Sequence, residues 1–338
     1  MKVPFLDLAR ENQALAGHLT TAFNRVVKSG RVLYGAELEA FEHEIAAWHG
    51  VQYAVGVASG TDAVEIALRA GGLRWARVTA MTAPATLNAM EAADVAADLA
   101  DPESLTLNAV GCDVHVHLYG LATPALSAAV EDCAHSMGAT VNGMLAGTMG
   151  RIGALSFYPS KIMGAVGDGG AIITNSRDIA ERARAIRHYG MTDTGEVSGR
   201  GQNSRLSELQ AAFLRAKLPF VADWIARRRA IAKRYAEELH GLVTVPYEPP
   251  GARHVYHVYV VEHPERDRLR AALEARGVGT MVHYPRAIHE HARWRHHGGA
   301  GAFPVAERLA REALSLPCYP YLTDAEQDHV IKSVKEAV

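Results

Sequence analysis

Apolar residues recur along the chain in two textures. Between residues 53 and 175 they gather into short β-prone runs separated by turns or short helical patterns. These are YAVGVA (53–58), ARVTAM (76–81), VAADLA (95–100), DVHVHLYG (113–120), AAVEDCA (128–134), ALSFY (154–158) and AIITN (171–175). Several are apolar throughout instead of alternating, the pattern of strands covered on both faces of a sheet. Between the first two, TDAVEIALRAGG sets apolar side chains at 63, 64, 66, 67 and 68 and stops at Gly-Gly, which predicts a helix. Strand, helix, strand in that order predicts an α/β layer with a mostly parallel, seven-stranded sheet. Two connections, 101–112 and 121–127, are short for parallel crossovers, which usually take about a dozen residues or more. Either a strand is misread there or the domain is contracted.

From about residue 205 the texture becomes helical. RLSELQAAFLRAKLPFVADWIARRRAIAKRYAEEL reads as one long helix or two consecutive ones broken near Pro219. HVYHVYVV (strand), ERDRLRAALEARGV (helix), GTMVHYP (strand), VAERLAREALSL (helix) and DAEQDHVIKSVKEAV (helix) follow, the last opened by a Thr323-x-x-Glu326 capping box. This pattern predicts a large domain over 1–224, with a helical N-terminal segment before the sheet, and a smaller α/β domain over 225–338.

Composition narrows the function classes. Thirty-five Lys plus Arg against 37 Asp plus Glu leave a formal charge of -2, which offers no footprint for nucleic acid or an anionic membrane. No apolar run reaches the length of a membrane span, and Asp7 and Arg10 interrupt any leader-like stretch. Cys112, Cys133 and Cys318 are too few and scattered for a disulfide framework or a zinc site. A soluble, cytoplasmic protein is the expectation. The Arg/Lys run at 227–234 reads as a solvated helix face.

Three spots carry candidate chemistry. Ala58-Ser59-Gly60-Thr61-Asp62 lies where a strand feeds a helix, and free N–H groups with the positive helix end make a seat for phosphate there; an ordinary N-cap is the plainer alternative. Glu131-Asp132-x-Ala134-His135 lies at the carboxyl end of an apolar strand, where ligands of open α/β sheets bind, so Asp132 is either a site acid or a loop cap. In SFYPSKIMGAVGDGGAI (156–172), Lys161 sits among apolar and glycine residues with no acid nearer in sequence than Asp168. A desolvated lysine has a lowered pKa and becomes a nucleophile towards carbonyl compounds. Lysine, acid and anion seat together suggest a pyridoxal-phosphate site, the acid keeping the pyridinium nitrogen protonated. A dinucleotide site lacks its G-x-G-x-x-G motif after the first strand.

On these motifs the chain resembles the DegT/StrS-type sugar aminotransferases, a branch of the fold-type I pyridoxal-phosphate enzymes. The resemblance runs nearly end to end through VPFLDL (3–8), ASGTDA (58–63), HLYG (117–120), EDCAHSMGA (131–139), SFYPSK (156–161), GDGGAI (167–172), GQNSRLSELQAA (201–212), HVYHVYVV (254–261) and VHYP (282–285). It implies that Lys161 is the Schiff-base lysine, that Asp132 pairs with the pyridinium nitrogen, and that His135 lies beside the cofactor's phenolic oxygen. It further implies phosphate contacts from Gly60, Thr61 and Ser156. Asn203, in an inter-subunit loop over 189–204, would serve the neighbouring subunit's phosphate, hence a homodimer with shared active sites. The implied substrates are an amino-acid donor, expected to be L-glutamate, and a 3- or 4-keto-6-deoxyhexose on a nucleotide, expected to be dTDP. Ala83 in MTAPATLNAM takes the place of the family's ring-stacking aromatic, and the two short connections imply a contracted large domain.

Histidines 283, 289, 291, 296 and 297 crowd fifteen residues, yet only Glu290 joins them as a ligand type, so no metal is assigned. The resemblance instead gives His283 and Tyr284 to substrate binding, and VHYP with His289 favours amination at C3. The related dehydratases carry His where this chain has Lys161. Amino-cyclitol transfer, and a cofactor-binding sensor without turnover, are the alternatives.

Overall fold

The computed structural model describes residues 1–103, 109, 111–192 and 194–338, so half of the 101–112 connection and one position of the 189–204 segment lie outside the described residues. Helices α1 (Leu8–Ala14), α2 (Ala16–Ser29) and α3 (Ala36–His49) precede a sheet built from β1 (Tyr53–Val57), β2 (Trp75–Thr79), β3 (Ala96–Ala100), β4 (Val114–Val116) and β5 (Val130–Asp132). After a short hairpin, β6 (Thr140–Val141) and β7 (Met144–Leu145), the sheet is completed by β8 (Ile152–Ser156) and β9 (Gly170–Thr174). Its order is β1-β9-β8-β5-β4-β2-β3. All seven expected strands belong to it. Strand β9 runs antiparallel to both neighbours, β1 and β8, and the other pairings are parallel.

Helices α4 (Gly60–Gly71) and α5 (Pro84–Ala92) cross between the first strands, and α6 (Arg177–Arg187) follows β9. Strands β4 and β5 are parallel neighbours joined through 117–129 with only the 3-10 turn Leu118–Gly120. The strand reading was therefore sound there and the crossover is contracted. The run DVHVHLYG is nevertheless cut at Val116, because Tyr119 and Gly120 take left-handed φ of 58° and 104° and reverse the chain.

Side chains from both faces of the sheet are buried, with all five residues of β9 enclosed. One face packs on α4, α5 and α6 through Ile66, Leu68, Leu87 and Ile179, the other on α3 and α7 (Glu208–Lys217) through Phe41, Ile45, Ala211 and Leu214. Capping side chains fix where helices begin. Ser59 accepts from the Asp62 N–H, Ser176 from Ile179 and Ser207 from Gln210, each satisfying an orphan donor of a first turn.

The break near Pro219 is a 3-10 turn, after which α8 (Val221–Leu239) continues past residue 224 as one helix. A two-residue strand β10 (Ala252–Arg253) pairs with β6. The C-terminal part then has β11 (Tyr259–Glu262), α9 (Arg266–Ala275), α10 (Pro304–Glu312), β12 (Ala313–Leu316) and α11 (Asp324–Lys335), packed on Ile231, Tyr235, Leu269, Leu314 and Val330. Three expectations change here. HVYHVYVV is strand only from Tyr259, GTMVHYP makes a single bridge from Met281 to Ser315, and the ALSL end of the predicted helix VAERLAREALSL is β12. ALSL is buried throughout and pairs with β11, so sheet pairing overrides the helical period. The Thr323/Glu326 capping box forms as read.

Candidate active site

The carboxyl ends of β5 and β8 set the chemistry. Asp132 closes β5, and the rigidity of that strand end comes from its neighbour. Glu131 accepts from His117 Nε2 (2.8 Å) and from the N–H groups of Gly147, Met149 and Gly150. Burial alone would raise the Glu131 pKa; His117 and these N–H donors outweigh it and hold it below the ordinary value. Asp132 itself is 6% exposed and accepts from Thr86 Oγ1 (2.9 Å) and the Ala134 N–H (3.1 Å). Thr86 comes from the first turn of α5 and meets Thr82 Oγ1 at 3.0 Å. In the segment where Ala83 takes the place of a ring-stacking aromatic, Ala83 is the helix N-cap and Thr86 is the side chain that reaches the Asp132 carboxylate.

Lys161 lies in the turn after β8. Phe157, just upstream, packs edge-on against Phe41 with centroids 5.4 Å apart, a contact worth about 0.5–1.5 kcal/mol beyond area burial. Burial lowers the Lys161 amine to about 8, although the Asp132 charge raises it. Lys161 shares a cavity of about 620 Å³ with His135, His257, His283, Tyr284 and Arg228.

His135 Nδ1 lies 3.3 Å from the Tyr119 N–H, from which it accepts. Its proton is therefore on Nε2, 3.4 Å from the Tyr284 hydroxyl. Burial, reinforced by the nearby Lys161, keeps this imidazole neutral far below the usual histidine range. His283, bonded through Nδ1 to Ser315 Oγ at 2.8 Å, is likewise lowered by burial, to about 4. Tyr119 donates its hydroxyl to the His283 carbonyl, tying the two halves of the chain across the cavity.

Beside this cavity the first turn of α4 meets the end of β8. Ser59 uses the Asp62 N–H, which leaves those of Gly60 and Thr61 directed out of the helix. A Cβ on Gly60 would overlap the Ser156 side chain, and one on Gly170 would overlap the Ser59 carbonyl, so the seat closes only with glycine at both. Ser204 Oγ donates to Asp62 Oδ2 (2.5 Å) and accepts from the Ala58 N–H (3.1 Å), fixing the turn. The adjacent Asn203 is exposed and paired with His188 in an isolated bridge.

Thus Lys161, His135, His283 and Tyr284 line one cavity, with the Asp132 carboxylate buried near enough to act on Lys161 and Tyr284, and Gly60, Thr61 and Ser156 come together where α4 starts. Asn203 does not line that cavity. The histidine-rich stretch disperses, with His289 buried on Glu307 at 3.0 Å and His296 ring-to-ring with His297. Thr86, His257 and Arg228 were missed in the sequence. Thr86 and His257 lay inside quoted segments, and Arg228 inside the 227–234 run expected to be a solvated helix face. That expectation fails at Arg228, which is 3% exposed, because its side chain turns inward to carbonyls of Tyr256, His257 and Cys318.

A neutralisable buried lysine, a hydrogen-bonded buried acid and a helix-start phosphate seat fit pyridoxal phosphate. On the fold-type I sheet they define the class as pyridoxal-phosphate-dependent enzymes. The chain belongs to the DegT/DnrJ/EryC1/StrS aminotransferase family, whose model matches residues 14–115 and 116–335. It is 39% identical to the dTDP-3-amino-3,4,6-trideoxy-alpha-D-glucose transaminase of Micromonospora megalomicea subsp. nigra, with 94% of each chain covered. Among solved structures it is similar to S. venezuelae DesV, at 36% identity and TM-score 0.94, covering 99% of this chain and 98% of that one. NtdA of Bacillus subtilis with bound cofactor PMP shares 25% identity at TM-score 0.90, covering 99% and 85%.

Proposed function

We propose that this chain transfers an amino group from an α-amino acid, L-glutamate being the expected donor, to C3 of a nucleotide-linked keto-deoxysugar, with dTDP as the nucleotide, and that it works as a homodimer with shared sites. The reading rests on Lys161, a buried amine lowered to about 8 beside the Asp132 carboxylate. When bound, pyridoxal phosphate supplies the electron sink that lets a C–H bond beside nitrogen ionise. Gly60, Thr61 and Ser156 would hold its phosphate, and Asp132, oriented by Thr86, would keep its ring nitrogen protonated.

Lys161 Nζ moves the proton. With a pKa near the working pH it takes one from the donor α-carbon in the first half-reaction and delivers one to the sugar carbon in the second. His135 offers an Nε2–H donor to the phenolic oxygen, and its neutrality avoids a second positive charge beside Lys161. His283 and Tyr284 close the cavity on the substrate side. The nucleotide and the C3 position draw support from the Micromonospora relative's substrate name, and the dimer from Asn203, which is exposed beside the phosphate turn. Other outcomes of the same test are amino-cyclitol transfer and cofactor binding without turnover.

The test is an absorbance spectrum of the purified protein before and after excess L-glutamate, followed by a panel of nucleotide keto-sugars. A band that moves to shorter wavelength, and its loss in Lys161→Ala with abolished turnover, is the expected result. A band that ignores every amino donor identifies a binder, and substantial turnover by Lys161→Ala overturns the mechanism.

A further inference from the structure

Helix α8 carries Arg227, Arg228, Arg229 and Arg234, and their partners differ. Arg227 donates to Asp324, Arg229 to Glu248 (each 2.7 Å) and Arg234 to Asp328. Arg228 points inward and is 3% exposed. Its Nη1 donates to the carbonyls of Tyr256 (3.3 Å), His257 (3.1 Å) and Cys318, while Nε is buried without an acceptor. Among the described residues no carboxylate pairs with it. Carbonyl dipoles orient a guanidinium but do not neutralise it, and a buried charge is ordinarily matched by an opposite one. Arginine remains a cation even where burial lowers its pKa, as it does here.

That unmatched charge lines the same cavity as Lys161. Near both lies His257, whose ring is tilted against that of His135 with centroids 4.5 Å apart and whose Nδ1 is buried with no partner. Burial holds His257 neutral, reinforced by His135, Lys161 and Arg228. One wall of the cavity therefore presents an amine, a neutral imidazole and a guanidinium, with two buried polar atoms left unmatched. The missing species is an anion small enough to enter beside Lys161. A carboxylate presents two coplanar oxygens to a guanidinium fork, and the amino donor carries one.

We propose that Arg228 binds a carboxylate of the amino donor, with His257 flanking it, so that the donor's amine is held towards Lys161. This rests on the aminotransferase reading above. Arg228 holds the donor and leaves the proton transfers to Lys161.

The two half-reactions separate donor from sugar. Unmodified protein, R228Q and R228K, each loaded with pyridoxal phosphate, are converted with L-glutamate, and separately with the amino-sugar product in reverse, following the cofactor band. R228Q is expected to need about 30-fold or more L-glutamate for half-conversion, with R228K intermediate and the amino-sugar titration within about threefold of unmodified protein. The unmodified protein is expected to prefer L-glutamate over its diamide by a similar factor, and R228Q to lose that preference. An R228Q titration with L-glutamate like that of unmodified protein overturns the proposal, as does equal loss in both half-reactions by a variant of unchanged melting temperature. Should neither variant fold, equal use of L-glutamate and its diamide by unmodified protein overturns it. A band in unmodified protein that ignores L-glutamate overturns the donor reading and this inference together, whereas normal conversion with an insensitive R228Q overturns this inference alone.

Discussion

The chemistry turns on what sets the charge of Lys161. Lys161 is lowered to about 8 by burial against the opposing pull of Asp132. Only the neutral amine captures a carbonyl group, so cofactor-free protein should take up pyridoxal phosphate at a rate that climbs with pH through a midpoint near 8. Asp132→Asn should move that midpoint lower, because removing the carboxylate removes the one influence that favours the charged amine. A stopped-flow series on both proteins reads the two midpoints, and an unmoved or higher value in the variant contradicts the pairing. Gly60→Ala is expected to weaken cofactor retention by about tenfold or more, since the new methyl overlaps Ser156 in the phosphate seat. Equilibrium dialysis of the cofactor checks it. Lys161 and Asp132 were legible in the sequence because desolvation and strand-end placement leave local signatures. Thr86, Arg228 and His257 were not, because their neighbours come from 46, 90 and 122 residues away.

Among the elements, α7 does the most positioning. At its start Glu208 accepts from the N–H groups of Gly35, Glu37 and Leu38, capping α3 from a distance. In the same first turn Gln210 exchanges two bonds with the Val166 backbone, and at the helix end Lys217 donates to Glu11 Oε1 and the Gly164 carbonyl, both at 2.9 Å. Gly164 and Val166 belong to the loop that begins at Lys161. Lys217 is 1% exposed, so Lys217→Met strands Glu11 and frees that loop. The expected cost is about 3–5 kcal/mol of unfolding free energy, measured by urea denaturation. Glu11→Gln in the same background should recover part of it. The helix itself was readable from its period, and so were the seven strands from their apolar runs. Of the two strands that pair in the C-terminal part, β11 was readable within HVYHVYVV, but β12 was not, because ALSL takes its state from pairing with Tyr259–Glu262, which no local pattern records.

At the scale of the whole molecule, the two ends of the chain are clasped. Arg10 on α1 donates to both oxygens of Glu326 on α11 and to the Tyr321 carbonyl. Its guanidinium holds the Glu326 carboxyl down to about 2, from an ordinary 4.5. A lowered acid stabilises the fold above its unfolded value and loses that contribution as pH falls through the folded one. The clasp should therefore weaken between about 4.5 and 2. Glu326→Gln should be less stable at neutral pH by about 1–3 kcal/mol and flatter across that acid window, as thermal melts at several pH values would show. If sites are shared across a dimer, Lys161→Ala and Asn203→Ala chains, each inactive alone, should regenerate about a quarter of the intact sites when mixed and reassembled. No recovery on mixing would place both residues in one chain's site.

The sheet order carries a consequence for how the protein is made. Among the described residues, strand β1, which feeds the phosphate turn, has no sheet neighbour except β9, and Tyr53 meets Thr174 only after 121 further residues have been added. A nascent chain leaving the ribosome thus holds the anion seat's first half unpaired until the strand beyond Lys161 has emerged. Gly170 then closes on Ser59, and Ser156 on Gly60, in one docking event. The cofactor pocket is in this sense a late product of synthesis. Pyridoxal phosphate, by binding only the finished sheet, favours completed chains over partial ones.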